Sequence, residues 1–238
     1  MRRTEAIFAR GRGWVRALQP FGLRPRAFGQ WPLLACGLTL LLAGNALDGA
    51  RLLQGAQRAG PAAVSRTQAL VQEMTAANNL DEVEKLRTVN TFFNRQIQYR
   101  EDKDAWAQVD YWASPMEFLA KGQGDCEDYA IAKFFSLIHL GVTPAKMRMV
   151  YVRAQNAGTI QAHMVLAYYA EPNAEPLILD NLITDIRPAS RRPDLAPVFS
   201  FNAEGLWQGV GATTAGDPVA RLSRWREVLS KAKSEGWW

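Results

Sequence analysis

Only two cysteines and two histidines occur in the 238 residues. Cys36 and Cys126 cannot build a disulfide framework, and His139 and His163 are too few to favour a zinc site of Cys and His ligands. Phosphate-cradling motifs are missing: nothing matches G-x-x-x-x-G-K-[ST], and Gly122-Gln123-Gly124 lacks the third glycine of a dinucleotide loop. There is no G-x-S-x-G elbow. Long apolar runs are scarce as well, which excludes a multi-span membrane protein. Hydrophobic residues at 48% and charged residues at 21% exclude a wholly disordered chain. The length suits one domain plus an extra segment, or two small domains.

A net charge of +5 would suggest nucleic acid, but its location removes that reading. Residues 1–50 carry seven arginines against Glu5 and Asp48, and the rest of the chain holds equal numbers of basic and acidic residues. No nucleic-acid partner is therefore expected. The Arg-rich stretch to Arg26 runs into an apolar core, Leu33–Ala43, and then the small residues Gly44-Asn45-Ala46. That order reads as a secretory signal peptide over 1–46, cleaved near Ala46, with the mature domain at 47–238. The core is shorter than the roughly 20 residues a bilayer span needs. An uncleaved N-terminal anchor stays open as the alternative. A lipoprotein box at Leu33-Leu34-Ala35-Cys36 has almost no apolar core before it. In each case the body is exported, and the periplasm is the expected compartment. Loss of the leader would leave Cys126 as the single thiol, which is then either reactive or buried.

The body reads as helices, then strands, then a helix. Residues 61–76 are predicted helical, and Asn79 with Glu82 is a capping-box pattern before Val83, Leu86, Val89, Phe92, Phe93 and Ile97. Residues 98–113 read as a long loop with interleaved aromatics. Ser114-Pro115-Met116-Glu117 caps a short helix that Gly122-Gln123-Gly124 ends. A helix from Cys126 to about Leu140 is apolar nearly all round and belongs inside a core. Strands are predicted at 147–153, 159–169 and 176–182, with short ones at 199–202 and 206–210. Residues 187–197, with three prolines, read as a loop, and Asp217-Pro218 caps a last helix over 218–234. The order favours an α+β fold.

Gly124-Asp125-Cys126-Glu127-Asp128-Tyr129-Ala130 puts Cys126 in the first turn of the central helix. Unpaired N–H groups and the helix dipole favour a thiolate there. The plain alternative is a small apolar side chain filling the core. A cysteine nucleophile needs a base. His139 lies 13 residues along the same helix, about 20 Å away at 1.5 Å per residue, so His163 in Ala162-His163-Met164-Val165-Leu166 is the available partner. Asp180, at the end of an apolar strand that can form a hairpin with 159–169, is the candidate to orient the imidazole.

These segments resemble a known family. Gly-Asp-Cys-Glu-Asp-Tyr-Ala at 124–130, Ala-His-Met-Val-Leu at 162–166, Leu-Asp-Asn at 179–181 and the stretch Tyr111–Leu119 look like the bacterial transglutaminase-like cysteine proteases of the LapG type. The likeness spans about 80–215. It implies a papain-like, transglutaminase-like α+β core with the Cys-bearing helix on an antiparallel sheet, and a Cys126-His163-Asp180 triad. It further implies a periplasmic endopeptidase that clips the N-terminal region of a large surface adhesin after paired alanines and so releases cells from a biofilm. An inhibitory inner-membrane receptor that senses cyclic di-GMP is the implied partner.

Asp125, Glu127 and Asp128 crowd a group that must become an anion, and like charges raise a thiol's pKa. Either these acids cap the helix, with Asp125 as N-cap, or they bind a divalent cation. Carboxylates and carbonyls suit Ca²⁺. The resemblance implies calcium dependence through Asp125 and Glu127, with Asp128 a further candidate. For the oxyanion, the Cys126 N–H is one candidate donor, and Tyr111, Trp112 or Gln123 another. Two other functions stay open: an acyltransferase or amidase on the same triad, and a non-catalytic peptide-binding module of the same fold.

Overall fold

The computed structural model describes residues 40–211 and 214–238. The expected leader thus lies outside the described residues up to position 39. Helix α1, Leu40–Ala59, runs across the expected cleavage point near Ala46, and its buried residues Leu52 and Ala56 lie beyond it. Gly60 (φ 109°) turns the chain into α2, Pro61–Ala77, where Pro61 starts the helix and Ala63, Leu70, Met74 and Ala77 are buried. Helix α3 is Glu82–Gln96. Its cap is not the expected Asn79 and Glu82. The turn after α2 still holds Leu80, whose N–H donates to the Ala77 carbonyl, so extended backbone starts only at Asp81. The Asp81 carboxylate accepts from the Glu84 N–H at 2.9 Å.

The stretch read as one loop contains two short elements, β1 (Gln98–Tyr99) and α4 (Asp102–Ala105). Next come α5 (Pro115–Lys121), β2 (Gln123–Gly124) and α6 (Cys126–His139). The capping box at α5 forms as expected: Ser114 accepts from the Glu117 N–H, and the Glu117 carboxylate accepts from the Ser114 N–H. Gly122 closes α5 in the left-handed region at φ 71°, a conformation that suits glycine. Parallel pairing of Gln98 with Gln123 and Tyr99 with Gly124 then fixes the approach to Cys126. Two-residue pairing carries no hydrophobic alternation, which is why the sequence hides it.

The remaining strands are β3 (Met147–Asn156), β4 (Thr159–Tyr168), β5 (Leu177–Leu179), β6 (Arg187–Pro188), β7 (Leu195–Phe201), β8 (Leu206–Gln208) and β9 (Thr214–Gly216). They form one antiparallel sheet in the order β6-β5-β4-β3-β7-β8-β9. Period-two alternation splits its faces. Met147, Met149, Met164, Leu166 and Tyr168 join the main core with α6, while Val150, Val152, Ala154, Val165, Ala167 and Ile178 make a smaller apolar cluster on the other side. The proline-rich 187–197 stretch is therefore not all loop. Pro188 pairs at the sheet edge, and Pro197 sits where the β3–β7 register shifts between Tyr151 and Val152. Edges and bulges are where a strand tolerates the missing N–H.

The expected last helix is two: α7 (Pro218–Arg221) and α8 (Ser223–Glu235), broken at Leu222 (φ −109°, ψ 93°). Asp217 caps α7 as predicted, accepting from Val219 and Ala220 N–H groups. The break lets fully buried Trp225 pack edge-on to Phe134 and Phe201 and donate to the Asn202 carbonyl at 3.1 Å. The architecture is the expected α+β: α6 packed on the antiparallel sheet, with α2, α3, α5 and α8 around it. Among the described residues no helix is long and apolar enough to cross a membrane.

Candidate active site

Cys126 is the first residue of α6 and is 8% exposed. Its thiol lies 2.8 Å from Glu127 Oε2. The backbone N–H of Met164 also reaches the sulfur, so α6 delivers the thiol to β4 at Met164, the residue after His163 in the chain. Burial, then the charges of Glu127 and Asp125, push the Cys126 thiol well above its ordinary value, and the Met164 N–H opposes them only in part. In this charge environment the thiol is neutral despite its place at a helix start.

His163 pairs across the sheet with Val152 and is 2% exposed. Its Nε2 is 2.8 Å from Asp180 Oδ1, just past the end of β5. Burial alone would raise the Asp180 carboxyl. The His163 contact, the Leu182 N–H and the Arg192 guanidinium outweigh it and hold the group well below the usual carboxylate range. An ionised carboxylate only accepts hydrogen bonds, so Nε2 carries the imidazole proton and Nδ1 is left as the basic nitrogen. The expected hairpin of 159–169 with 176–182 is present, in the register Leu166 to Leu179.

The acids beside the cysteine are not helix caps. Asp125 occupies the N-cap position, but its side chain accepts no helix N–H, and its Oδ1 is buried without a partner. Asp102, Asp125 and Asp128 instead converge, with one carboxylate oxygen from each inside a 4.8 Å cluster; Asp125, Cys126 and Glu127 form a second, overlapping group. Asp102 Oδ1 is likewise buried and unpartnered. Burial is the largest reason these groups resist ionisation, with mutual repulsion added. Asp102 is pushed up to about 6, Asp128 to about 8 and Asp125 to about 10. Asp128 is pinned by the Ala113 N–H at 2.7 Å and the Trp106 indole at 3.1 Å. Glycine is required at 124 for space: a Cβ there would overlap the Asp128 carboxylate and come within 2.8 Å of the Phe118 ring. Orphaned oxygens on crowded, buried carboxylates are the donor set of a hard divalent cation.

The other sequence candidates fall around this centre. Trp112 stacks on Phe201 at 5.6 Å, and Gln123 is half-buried in β2, three residues before the cysteine. Tyr111 is committed elsewhere, donating from its hydroxyl to Glu117 and accepting from Lys231. His139 ends α6, edge-on to Trp237, as its distance along the helix requires.

Four residues escaped the sequence reading. Asp102 stood in an apparent loop. Arg192 stood in a proline-rich one, and its Nη2 lies 2.7 Å from Asp180 Oδ2. Lys133, fully buried in α6, donates to Asn94 Oδ1 at 2.9 Å and to the Asp180 carbonyl at 3.0 Å, and Asn94 donates to the same carbonyl at 2.8 Å. Lys133 was visible in principle, as a lysine in the middle of a helix that is otherwise apolar from Tyr129 to Phe135.

Residues 62–194 match the family model described as bacterial transglutaminase-like cysteine proteinase, BTLCP. Solved structures of LapG from Legionella pneumophila are similar to the chain. The EGTA-treated form is 39% identical over 77% of this chain and 96% of that one, with a TM-score of 0.69. A second LapG structure gives 39%, 77%, 96% and 0.66. The calcium-bound form gives 38%, 77%, 98% and 0.66. A comparison with curated proteins found no match.

Proposed function

Because the chain belongs to the bacterial transglutaminase-like cysteine proteinase family, we propose that it is a calcium-dependent cysteine endopeptidase using Cys126, His163 and Asp180. The observation that carries this reading is the junction of α6 and β4, where the thiol meets the Met164 N–H next to a histidine whose far nitrogen is held by a buried carboxylate.

The chemistry follows from those atoms. His163 Nδ1 takes the thiol proton as the sulfur attacks a peptide carbonyl carbon. The Cys126 N–H donates to the developing oxyanion, with the side chain of Trp112 or Gln123 as second donor. The imidazolium, stabilised by Asp180, returns the proton to the leaving amine, and a thioester remains on Cys126. Water then attacks, losing a proton to His163, and the carboxylic acid product leaves as the thiol is regenerated. Asp102, Asp125 and Asp128, with Glu127 from the overlapping group, would hold Ca²⁺. When bound, the cation supplies the positive charge that offsets the acids beside the thiol and allows it to ionise. Similarity to a calcium-bound and an EGTA-treated LapG supports that assignment.

The likeness to LapG-type proteases and the Arg-rich leader extend the proposal. The enzyme is exported to the periplasm, cuts the N-terminal region of a large surface adhesin, and is restrained by an inner-membrane cyclic di-GMP receptor. Incubating the purified protein with calcium and such an adhesin segment, with a primary amine present, tests the reaction type. New N- and C-termini without amine incorporation are expected. Amine-labelled products would make the chain an acyltransferase instead.

A further inference from the structure

We propose that Arg192, paired with Asp194, is a positioning residue that sets the orientation and charge of Asp180 for His163; the inference rests on the triad reading above. Arg192 follows a single 3₁₀ turn, Ala189–Arg191, and is 2% exposed. It borders a cavity of about 120 Å³ lined mainly by apolar residues, among them Val150, Val165, Ile178 and Leu195. A guanidinium buried in such surroundings gains little stability over a hydrophobic side chain of similar size. Its contacts indicate what it does there. Nη2 meets Asp180 Oδ2 at 2.7 Å, while Nε and Nη2 both reach the Asp194 carboxylate, at 3.0 Å and 2.7 Å.

The two oxygens of Asp180 are thus divided. Oδ1 accepts from His163 Nε2 and from the N–H groups of Asn181 and Leu182, whereas Oδ2 meets Arg192. Arg192 supplies the side-chain contact on Oδ2, where His163 and the two backbone N–H groups hold only Oδ1, so it adds a second anchor to the carboxylate plane. The carbonyl of the same residue is gripped by Asn94 and Lys133, so the main chain is fixed independently. Charge requires the third member. An arginine paired with Asp180 alone would cancel the negative charge that an imidazolium needs. Asp194, on the far side of the guanidinium, restores one net negative charge to the trio. Arg192 therefore aims the carboxylate, and Asp194 keeps it effective.

The test uses Arg192→Gln, Arg192→Lys and Asp194→Asn, each made in the active chain and in a Cys126→Ala background. In the Cys126→Ala proteins, proton NMR follows the hydrogen-bonded ring N–H of His163, distinguished from His139 by a His139→Gln control. The expected result is loss or exchange broadening of that resonance in Arg192→Gln, partial recovery in Arg192→Lys, and an upfield shift in Asp194→Asn. In the active chain, kcat should fall roughly ten- to a hundredfold in Arg192→Gln, as for outer-shell partners of ligating histidines, with KM within about twofold. An unchanged His163 resonance and unchanged kcat in folded Arg192→Gln, with only a lower Tm, would overturn the proposal by making the residue purely structural. Should Arg192→Gln not fold, Asp194→Asn decides, because Asp194 is partly exposed: an unmoved resonance there counts against the proposal. The resonance is read without activity, so failure of the protease reading leaves this test intact.

Discussion

Withdrawing calcium should destabilise the folded protein, and Asp102→Asn should blunt the effect. Three carboxylate oxygens share a 4.8 Å cluster. At that spacing, with an effective dielectric near 20, each ionised pair repels by about 3.5 kcal/mol. The metal-free protein avoids this by retaining protons, with Asp102 at about 6, Asp128 at about 8 and Asp125 at about 10. An acid whose folded pKa is raised contributes stability that is present below its unfolded value, near 4, and is lost as pH rises through the folded value. In chelator, stability and with it Tm should therefore fall from about pH 4 up to about pH 10, the value of Asp125, at up to about 1.4 kcal/mol per pH unit for each group titrating. Calcium at a hundred times its dissociation constant adds about 2.7 kcal/mol, or about 5–11 °C in Tm for a domain of this size. Asp102→Asn removes both a ligand oxygen with no other partner and a repelling charge. Its Tm in chelator at pH 8 should match or exceed wild type, while its calcium-induced rise should shrink by more than half. Differential scanning calorimetry with EGTA or Ca²⁺, at pH 6 and 8, reads all four quantities. An equal calcium-induced rise in wild type and Asp102→Asn would refute the role of Asp102, and no rise in wild type would refute the cation site itself.

Lys133 is lowered to about 7, chiefly by burial, so between pH 7 and about 10.5 the unfolded chain binds the extra proton. Wild type should therefore gain stability relative to Lys133→Met as pH rises from 7 to about 10, by up to about 1.4 kcal/mol per unit, and an unchanged stability difference between the two proteins in urea unfolding at pH 7 and 9.5 would contradict this. Gly124→Ala should cost about 1–3 kcal/mol by overpacking and weaken calcium binding through the displaced Asp128 carboxylate; calorimetry and a calcium titration of that variant check both. N-terminal sequencing of the exported protein should find a start close to residue 47, which retains the packed Leu52 and Ala56; a membrane-bound, active protein starting at Met1 would favour an anchor.

What was legible in the sequence had a periodic or capping signature. The apolar α6, the alternation of β3 and β4, and the Ser114–Glu117 box each satisfy a local rule, so their elements appear where expected. Asp81 displaced Asn79 as a cap because the preceding turn is two residues longer than the pattern suggests, a matter of backbone path rather than composition. Leu222 broke the last helix for packing that no helical propensity encodes. The site divides the same way. Cys126 starts α6, His163 sits within β4 and Asp180 follows β5, elements readable one by one, and the two latter side chains meet at 2.8 Å. Asp102 and Arg192 were hidden, since each acts across 12 or more residues of chain from segments without periodicity. Asp125 was visible but misleading: its sequence position is that of a cap, and only the fold shows its carboxylate turned toward Asp102 and Asp128.

The central claim is that the Cys126 sulfur is the nucleophile. The most direct measurement is mass-spectrometric detection of cleavage products from an unfolded protein substrate, with calcium present, comparing wild type and Cys126→Ala at matched, calorimetrically verified folding. New termini are expected with wild type and none with Cys126→Ala, along with a thioester on the wild-type Cys126 peptide after acid quench, heavier by the N-terminal cleavage product less one water. A folded Cys126→Ala protein that cuts at the same sites and a comparable rate would contradict the account.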